Sequence, residues 1–201
     1  LRLSRGLGDV YKRQMFDLDQ FIADCKAALR EGEPTRAAEE VVKRAVADPA
    51  AVIAALGEPR FGGVDRLYND DDLTILNLRW YPGQDLLPHN HNMWAVIGLF
   101  TGREDNTFWR SEQGQAVKLG GKTLEVGEVG WLGETAIHSV KNPTDQVTAA
   151  LHVYGGNFFA PGRSEWDKES LRERPYDMES NIKSFELGNA ALAERYAAEG
   201  R

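Results

Sequence analysis

The sequence is short of cysteine, of histidine and of any long apolar run, and each shortage excludes something. Cys25 is the sole cysteine among 201 residues, so no disulfide can form within the chain. A chain without bridges fits a reducing compartment, and a cytoplasmic location is the expectation. No stretch approaches the roughly 20 apolar residues of a membrane-crossing helix, and no basic-then-apolar leader marks secretion. Cationic charge is also in deficit: 24 Lys and Arg against 31 Asp and Glu leave a formal charge of −7. Binding to nucleic acid needs a concentrated basic face, so no nucleic-acid partner is expected, and no membrane partner either. What is present is the composition of an ordinary globular protein, 42% hydrophobic and 27% charged, at a length that favours one domain.

Residues 1–14 precede Met15 without a periodic pattern and read as a non-native leader or a disordered arm, outside the fold. From Asp17 the spacing of Leu18, Phe21, Ile22, Cys25 and Leu29 predicts a helix capped by Asp17 and ended by Gly32. Cys25 on that face reads as a small core residue. Thr35 opens a second helix carrying Val41, Val42 and Val46, and Asp48-Pro49 opens a third that Gly57 follows. After Gly57 the period falls to two. Strands are predicted over 73–78, 94–100, 106–110, 116–119, 122–126, 128–132, 137–141 and 147–154, with turns at Pro82-Gly83 and Gly120-Gly121. Many short, closely spaced strands predict an antiparallel barrel or jelly roll. The expected organisation is a helical cap over 15–57, the barrel over 58–160, and a polar tail over 161–201 with a modest helix around 190–198.

The four histidines are His89, His91, His138 and His152, all inside the β region. His89-Asn90-His91 sets two imidazoles two residues apart, which on a strand is one face. In a narrow barrel that face is the lumen. His138 sits on a later strand and is expected to arrive from the far side of the barrel. A lone histidine at a strand end is ordinarily a satisfied polar residue. A pair entered by Pro88 and matched by a third histidine downstream points instead to a metal centre. Three neutral nitrogen ligands with open positions suit an ion that must also take substrate or dioxygen, and imidazole serves Fe, Zn, Ni or Cu.

The His-x-His pair, Gly102 and His138-Ser139-Val140-Lys141-Asn142 resemble the two cupin motifs, His-x-His followed by Gly and then by His-x-x-x-Asn. Met93-Trp94-Ala95-Val96 occupies the stretch where the usual carboxylate ligand would stand, and Glu104 falls too far along to be one. A three-histidine site without carboxylate resembles the cysteine-dioxygenase-like thiol dioxygenases. Leu87-Pro88-His89-Asn90-His91, Trp94-Ala95-Val96-Ile97-Gly98, Gly102-Arg103-Glu104 and His152-Val153-Tyr154-Gly155 are similar to bacterial members, closest to the 3-mercaptopropionate dioxygenase branch, over about residues 67–163.

The resemblance implies a mainly-β cupin barrel, that is a double-stranded β-helix, with a helical cap. It also implies an Fe2+ ion on His89, His91 and His138, and addition of O2 to the sulfur of a small thiol carboxylate, of the 3-mercaptopropionate or cysteine type, to give a sulfinate. A Ser-x-His-x-Tyr unit accompanies the iron in that family. His152 and Tyr154 match it and are the expected catalytic residues, outside the ligand set, whereas Ala150 stands in the serine's place and leaves the His152 ring without that partner. No cysteine lies near the His-x-His pair, so Tyr154 lacks the thioether cross-link of some animal members. The substrate carboxylate calls for an arginine, and Arg163 and Arg66 are the two expected to bind it. Trp94, Phe108, Trp109 and Trp131 are expected to wall the site. The same histidines equally suit another cupin metalloenzyme, such as a lyase, an isomerase or a carbon-oxidising dioxygenase. A binding module without catalysis is a third reading, disfavoured because a binder has no need of an open metal site. The oligomeric state is not legible.

Overall fold

The computed structural model describes residues 15–201, so the expected leader at 1–14 lies outside the described residues. Three helices open the chain: α1 (Leu18–Ala28), α2 (Pro34–Val46) and α3 (Pro49–Leu56). The Asp17 and Asp48 carboxylates accept the backbone N–H of Gln20 and Ala51 at 3.0 and 3.1 Å, covering donors that a helix start leaves free. Proline at the first position starts both α2 and α3, where its fixed φ costs nothing.

Eleven strands follow: β1 (Gly63–Asn69), β2 (Thr74–Trp80), β3 (Asp85–Asn90), β4 (Ala95–Thr101), β5 (Arg103–Glu112), β6 (Gln115–Glu125), β7 (Val129–Leu132), β8 (Ile137–Lys141), β9 (Thr148–Tyr154), β10 (Ser164–Trp166) and β11 (Glu173–Pro175). A helix, α4 (Met178–Glu199), comes last. The strands form two antiparallel sheets, in the orders β1-β2-β9-β4-β7 and β11-β10-β3-β8-β5-β6. Between β2 and β9 the chain changes sheet at every step except the β5–β6 hairpin. Two interleaved four-stranded sets, 2-9-4-7 and 3-8-5-6, are the strand order of a jelly roll, the double-stranded β-helix of the cupin fold.

The five-stranded sheet is covered on both faces. Along β9, Ala149, Leu151 and Val153 pack outward among Phe21, Cys25, Val42 and Val46 of the helices. Ala150 and Tyr154 alternate with them and face the inner core with Leu76, Leu78, Ile97 and Leu99. The helical layer is integral to the fold, because Val42, Val46 and Val52 are fully buried and each contributes about 2 kcal/mol relative to exposure. Its approach requires Gly98 on β4: a Cβ there would stand 2.4 Å from a Val42 methyl.

Three expectations need correction. Gly120-Gly121 is not a turn, because β6 runs through it. The register against β5 slips between Phe108 and Trp109, and a Cβ at Gly121 would meet the Asn106 carbonyl at 2.7 Å, so the glycines serve a bulge and a close strand approach. The chain past Pro161 is more than a tail, since β10 pairs with β3 and with β11 at the sheet edge. The final helix has 22 residues and begins well before 190, its polar surface concealing it from a periodicity reading. Among the described residues no helix is long and apolar enough to cross a membrane.

Candidate metal centre

His89 lies near the end of β3 and His91 just beyond it, ahead of Asn92, which adopts a left-handed backbone (φ 57°). His138 is the second residue of β8. It does not come from the far side of the barrel. β8 is hydrogen-bonded to β3, and His89 and His138 are direct register partners. The far side is supplied by β9, in the opposite sheet, with His152 and Tyr154.

The three imidazoles form a nearly equilateral group, with ring centres 4.6, 4.9 and 5.0 Å apart. One nitrogen from each lies within 4.8 Å of the others, and all three residues are buried. His89 Nε2 and His91 Nε2 are 3.1 Å apart, the spacing of two nitrogens that share one ion at about 2.1 Å each. His89 Nδ1 is 2.8 Å from the Leu87 carbonyl, and His138 Nδ1 is 2.8 Å from Asn106 Oδ1. Both neighbours are oxygens that only accept, so each Nδ1 carries the ring proton and each Nε2 keeps its lone pair. His138 Nε2 is buried and has no hydrogen-bond partner among the described residues. An orphaned acceptor beside two converging nitrogens is what an ion would satisfy, so the residues fit one.

Electrostatics agree. Burial holds His89 down to about 4 and, with the neighbouring imidazoles, holds His91 and His138 well below the usual value. The rings are therefore neutral at neutral pH, as metal ligands must be. Among the described residues no carboxylate joins them. Of the nearby buried acids, Glu104 binds Trp80 and Asn106, and Glu165 is paired with Arg174.

His152 Nδ1 and the Tyr154 hydroxyl are 3.0 Å apart, and the Tyr154 ring centre is 5.0 Å from that of His91. Burial lowers His152 to about 3 and raises the Tyr154 phenol well above the ordinary tyrosine value. His152 Nε2 has no partner among the described residues. Ala150, on the same strand face, offers no hydroxyl.

These groups open on one cavity of about 260 Å³. Its wall is mostly apolar and includes Leu78, Leu86 and Val140 alongside the histidines. Arg66 is on this wall, its guanidinium 4.4 Å from the ring centre of Phe159. Arg163 is buried and lies 4.1 Å from the ring centres of Phe158 and Tyr176, which line the cavity, so it stands one ring back. Its Nη1 has no partner among the described residues.

The aromatic wall differs from the expected one. Trp131 is 60% exposed, Trp94 packs toward the helices, and Trp109 donates to Ser139 outside the lumen. Of the four, only Phe108 borders the inner core. Besides Tyr154 and the histidines, the rings at the cavity are Trp80, Phe158, Phe159, Tyr176 and Phe185. Strand alternation gives the reason: Ala95, Ile97 and Leu132 point inward, so Trp94 and Trp131 point out. Phe185, Met178, Asn181 and Ile182 come from α4, which covers the cavity mouth. Phe185 stacks on Trp80 with ring centres 6.0 Å apart, and Asn189 both accepts from and donates to the Gly62 main chain.

No protein-family model matches the chain. It is similar to solved structures of an RmlC-like cupin family protein with a double-stranded β-helix fold from Methanocaldococcus jannaschii (13% identity over 49% of this chain and 84% of that one, TM-score 0.41). It is also similar to a DMSP lyase from Ruegeria pomeroyi (14%, 51% and 50%, 0.41) and to an oxalate decarboxylase mutant from Bacillus subtilis (20%, 50% and 27%, 0.39). Each likeness covers about half of the chain. The chain is a jelly-roll barrel, a double-stranded β-helix, whose lumen carries a three-histidine cluster able to hold a metal ion.

Proposed function

We propose that the protein is a non-haem iron thiol dioxygenase acting on a small thiol carboxylate, of the 3-mercaptopropionate or cysteine type. The balanced reaction is RSH + O2 → RSO2H: the S–H and O–O bonds are lost, two S–O bonds form, and sulfur alone is oxidised. The observation that carries this reading is a carboxylate-free three-histidine cluster sharing one cavity with the His152–Tyr154 pair. His89, His91 and His138 would hold Fe2+, which would favour the thiolate form of the substrate and let electrons pass from sulfur to dioxygen with no net change in the iron.

The chain's own residues supply the rest. A neutral imidazole carries one N–H and a neutral tyrosine one O–H, and the His152–Tyr154 bond uses one of the two. Whichever direction that bond takes, one donor remains to orient oxygen at the sulfur. Arg66, on the cavity wall, has no acidic partner among the described residues, which supports an anionic substrate, and Arg163 stands behind Phe158 and Tyr176. The apolar wall and the α4 cover keep water from the reacting sulfur.

A second reading, another cupin metalloenzyme such as a lyase, an isomerase or a carbon-oxidising dioxygenase, is favoured by one feature. Ala150 offers the His152 ring no hydroxyl, and among the described residues His152 Nε2 has no partner. The deciding experiment loads the protein with iron and supplies 3-mercaptopropionate or cysteine under ¹⁸O2. Consumption of one O2 per thiol with both labels in the sulfinate is expected. Confirmed iron with no oxygen uptake on either thiol overturns the proposal in favour of the second reading.

A further inference from the structure

A buried polar relay runs behind His138. Glu104 on β5 is fully buried and has no cationic partner among the described residues. It bridges the two sheets: Trp80 Nε1, on β2, donates to Oε2 at 2.9 Å, and Asn106 Nδ2 donates to Oε1 at 2.8 Å. Asn106 Oδ1 in turn faces His138 Nδ1 at 2.8 Å.

The direction of the relay follows from what each group can do. An indole N–H only donates, and both Glu104 oxygens accept, one from Trp80 and one from Asn106; these two bonds oppose the upward push that burial gives the carboxyl pKa. Asn106 must therefore turn its amide N–H toward Glu104 and its carbonyl toward His138. A carbonyl only accepts, so the imidazole proton sits on Nδ1 and the Nε2 lone pair faces His89 and His91. We propose that Glu104 is a positioning residue for the metal centre: by orienting the Asn106 amide it fixes the His138 tautomer that can ligate an ion. The inference rests on the three-histidine cluster being a metal centre.

Glu104→Gln reverses this logic at almost constant size. Trp80 can only donate, so the glutamine must offer it the carbonyl and turn its amide N–H toward Asn106. The Asn106 amide then flips, an N–H points at His138 Nδ1, and the ring proton moves to Nε2, the ligating atom. Removing the indole donor as well, in Glu104→Gln combined with Trp80→Phe, frees the glutamine to turn back.

The test uses metal-free wild type and both variants. Long-range ¹H–¹⁵N spectra read the tautomer, and titration with Co2+ reads affinity. The expected result is Nδ1–H in wild type, Nε2–H in Glu104→Gln with Co2+ affinity reduced about 10- to 100-fold, and partial recovery in the double variant. A purely structural role would lower the melting temperature, leave the tautomer alone and make the double variant worse. An Nε2–H tautomer in wild type overturns the inference and needs no variant to fold. Unchanged tautomer and affinity in Glu104→Gln overturn it equally. Wild-type protein that binds no Co2+ refutes the metal reading instead, and the tautomer spectra still decide the relay.

Discussion

His89 and His138 are register partners on adjacent antiparallel strands, their ring centres 4.6 Å apart. Two of the three ligating side chains are thus spaced by the hydrogen-bond ladder between β3 and β8, and only His91 depends on the loop that follows. A site held by a ladder keeps its geometry without an ion, so losing one ligand should empty the site and spare the fold. His89→Ala, His91→Ala and His138→Ala are each expected to lower bound iron at least about tenfold by elemental analysis, with unchanged far-ultraviolet circular dichroism. Stoichiometric iron in His138→Ala would sink the assignment.

His152 and Tyr154 are proposed to act beside the ion without ligating it. His152→Ala should keep most of the iron and lose turnover. Tyr154→Phe removes the hydroxyl that pairs with His152 Nδ1 and is expected to cut kcat about 100-fold at constant iron content. Loss of iron in His152→Ala in parallel with activity would make His152 a fourth ligand.

Ala150 is fully buried and shares a strand face with His152. Ala150→Ser adds one oxygen, a volume change the core should tolerate. A hydrogen bond to His152 is worth on the order of 1 kcal/mol. Oxygen uptake with 3-mercaptopropionate is expected to equal or exceed that of the parent. Silence from both proteins, each carrying iron, points to the lyase, isomerase or carbon-oxidising alternative.

Burial pushes the Cys25 thiol up to about 12, from an ordinary 9.0. The unfolded chain therefore releases this proton first as pH rises. The associated stability is complete below pH 9 and is lost progressively toward pH 12. Native protein at pH 8 should resist aromatic disulfide reagents and label only on unfolding. Cys25→Ala should flatten part of the fall in melting temperature between pH 9 and pH 11. A slope identical to wild type would assign that fall to Tyr154 and Tyr176, the buried phenols also raised.

Phe185 is half-buried against Trp80 and Tyr81. Phe185→Ala should loosen α4 at a cost of about 2 kcal/mol, raise KM for the thiol and leave iron content unchanged. A fall in kcat with KM unaltered would argue that the helix has no part in enclosing substrate.

Much of this was legible because alternation and punctuation carry information. The inward period of two along β9 brought Ala150, His152 and Tyr154 to one face, and Asp48-Pro49 marked a helix start that the structure keeps. Strand neighbours were not legible. Nothing local states that β8 lies beside β3, which is why His138 was assigned to the wrong side of the barrel. The wall aromatics failed for a related reason: Trp94, Trp109 and Trp131 lie near the motifs in sequence but on the outward parity of their strands. Glu104 and Asn106 share an inward parity just after Gly102, and two polar residues aimed into a barrel were the available sign of the relay. Phe185 and Asn181 gave no sign, since α4 shows little apolar periodicity and is joined to the site by tertiary packing alone.

The covering helix contributes wall and no ligand, so the protein divides its labour along the chain. On the proposed reading, residues 89–138 would hold the ion, and residues 178–185 would help decide which molecule fits beside it. Met178, Asn181 and Ile182 can then change the fit of the substrate without touching a histidine, whereas Phe185 also bears on Trp80 and through it on the relay behind His138. An engineer seeking a bulkier thiol acid would begin with Met178 and Ile182, and would leave every strand as it is.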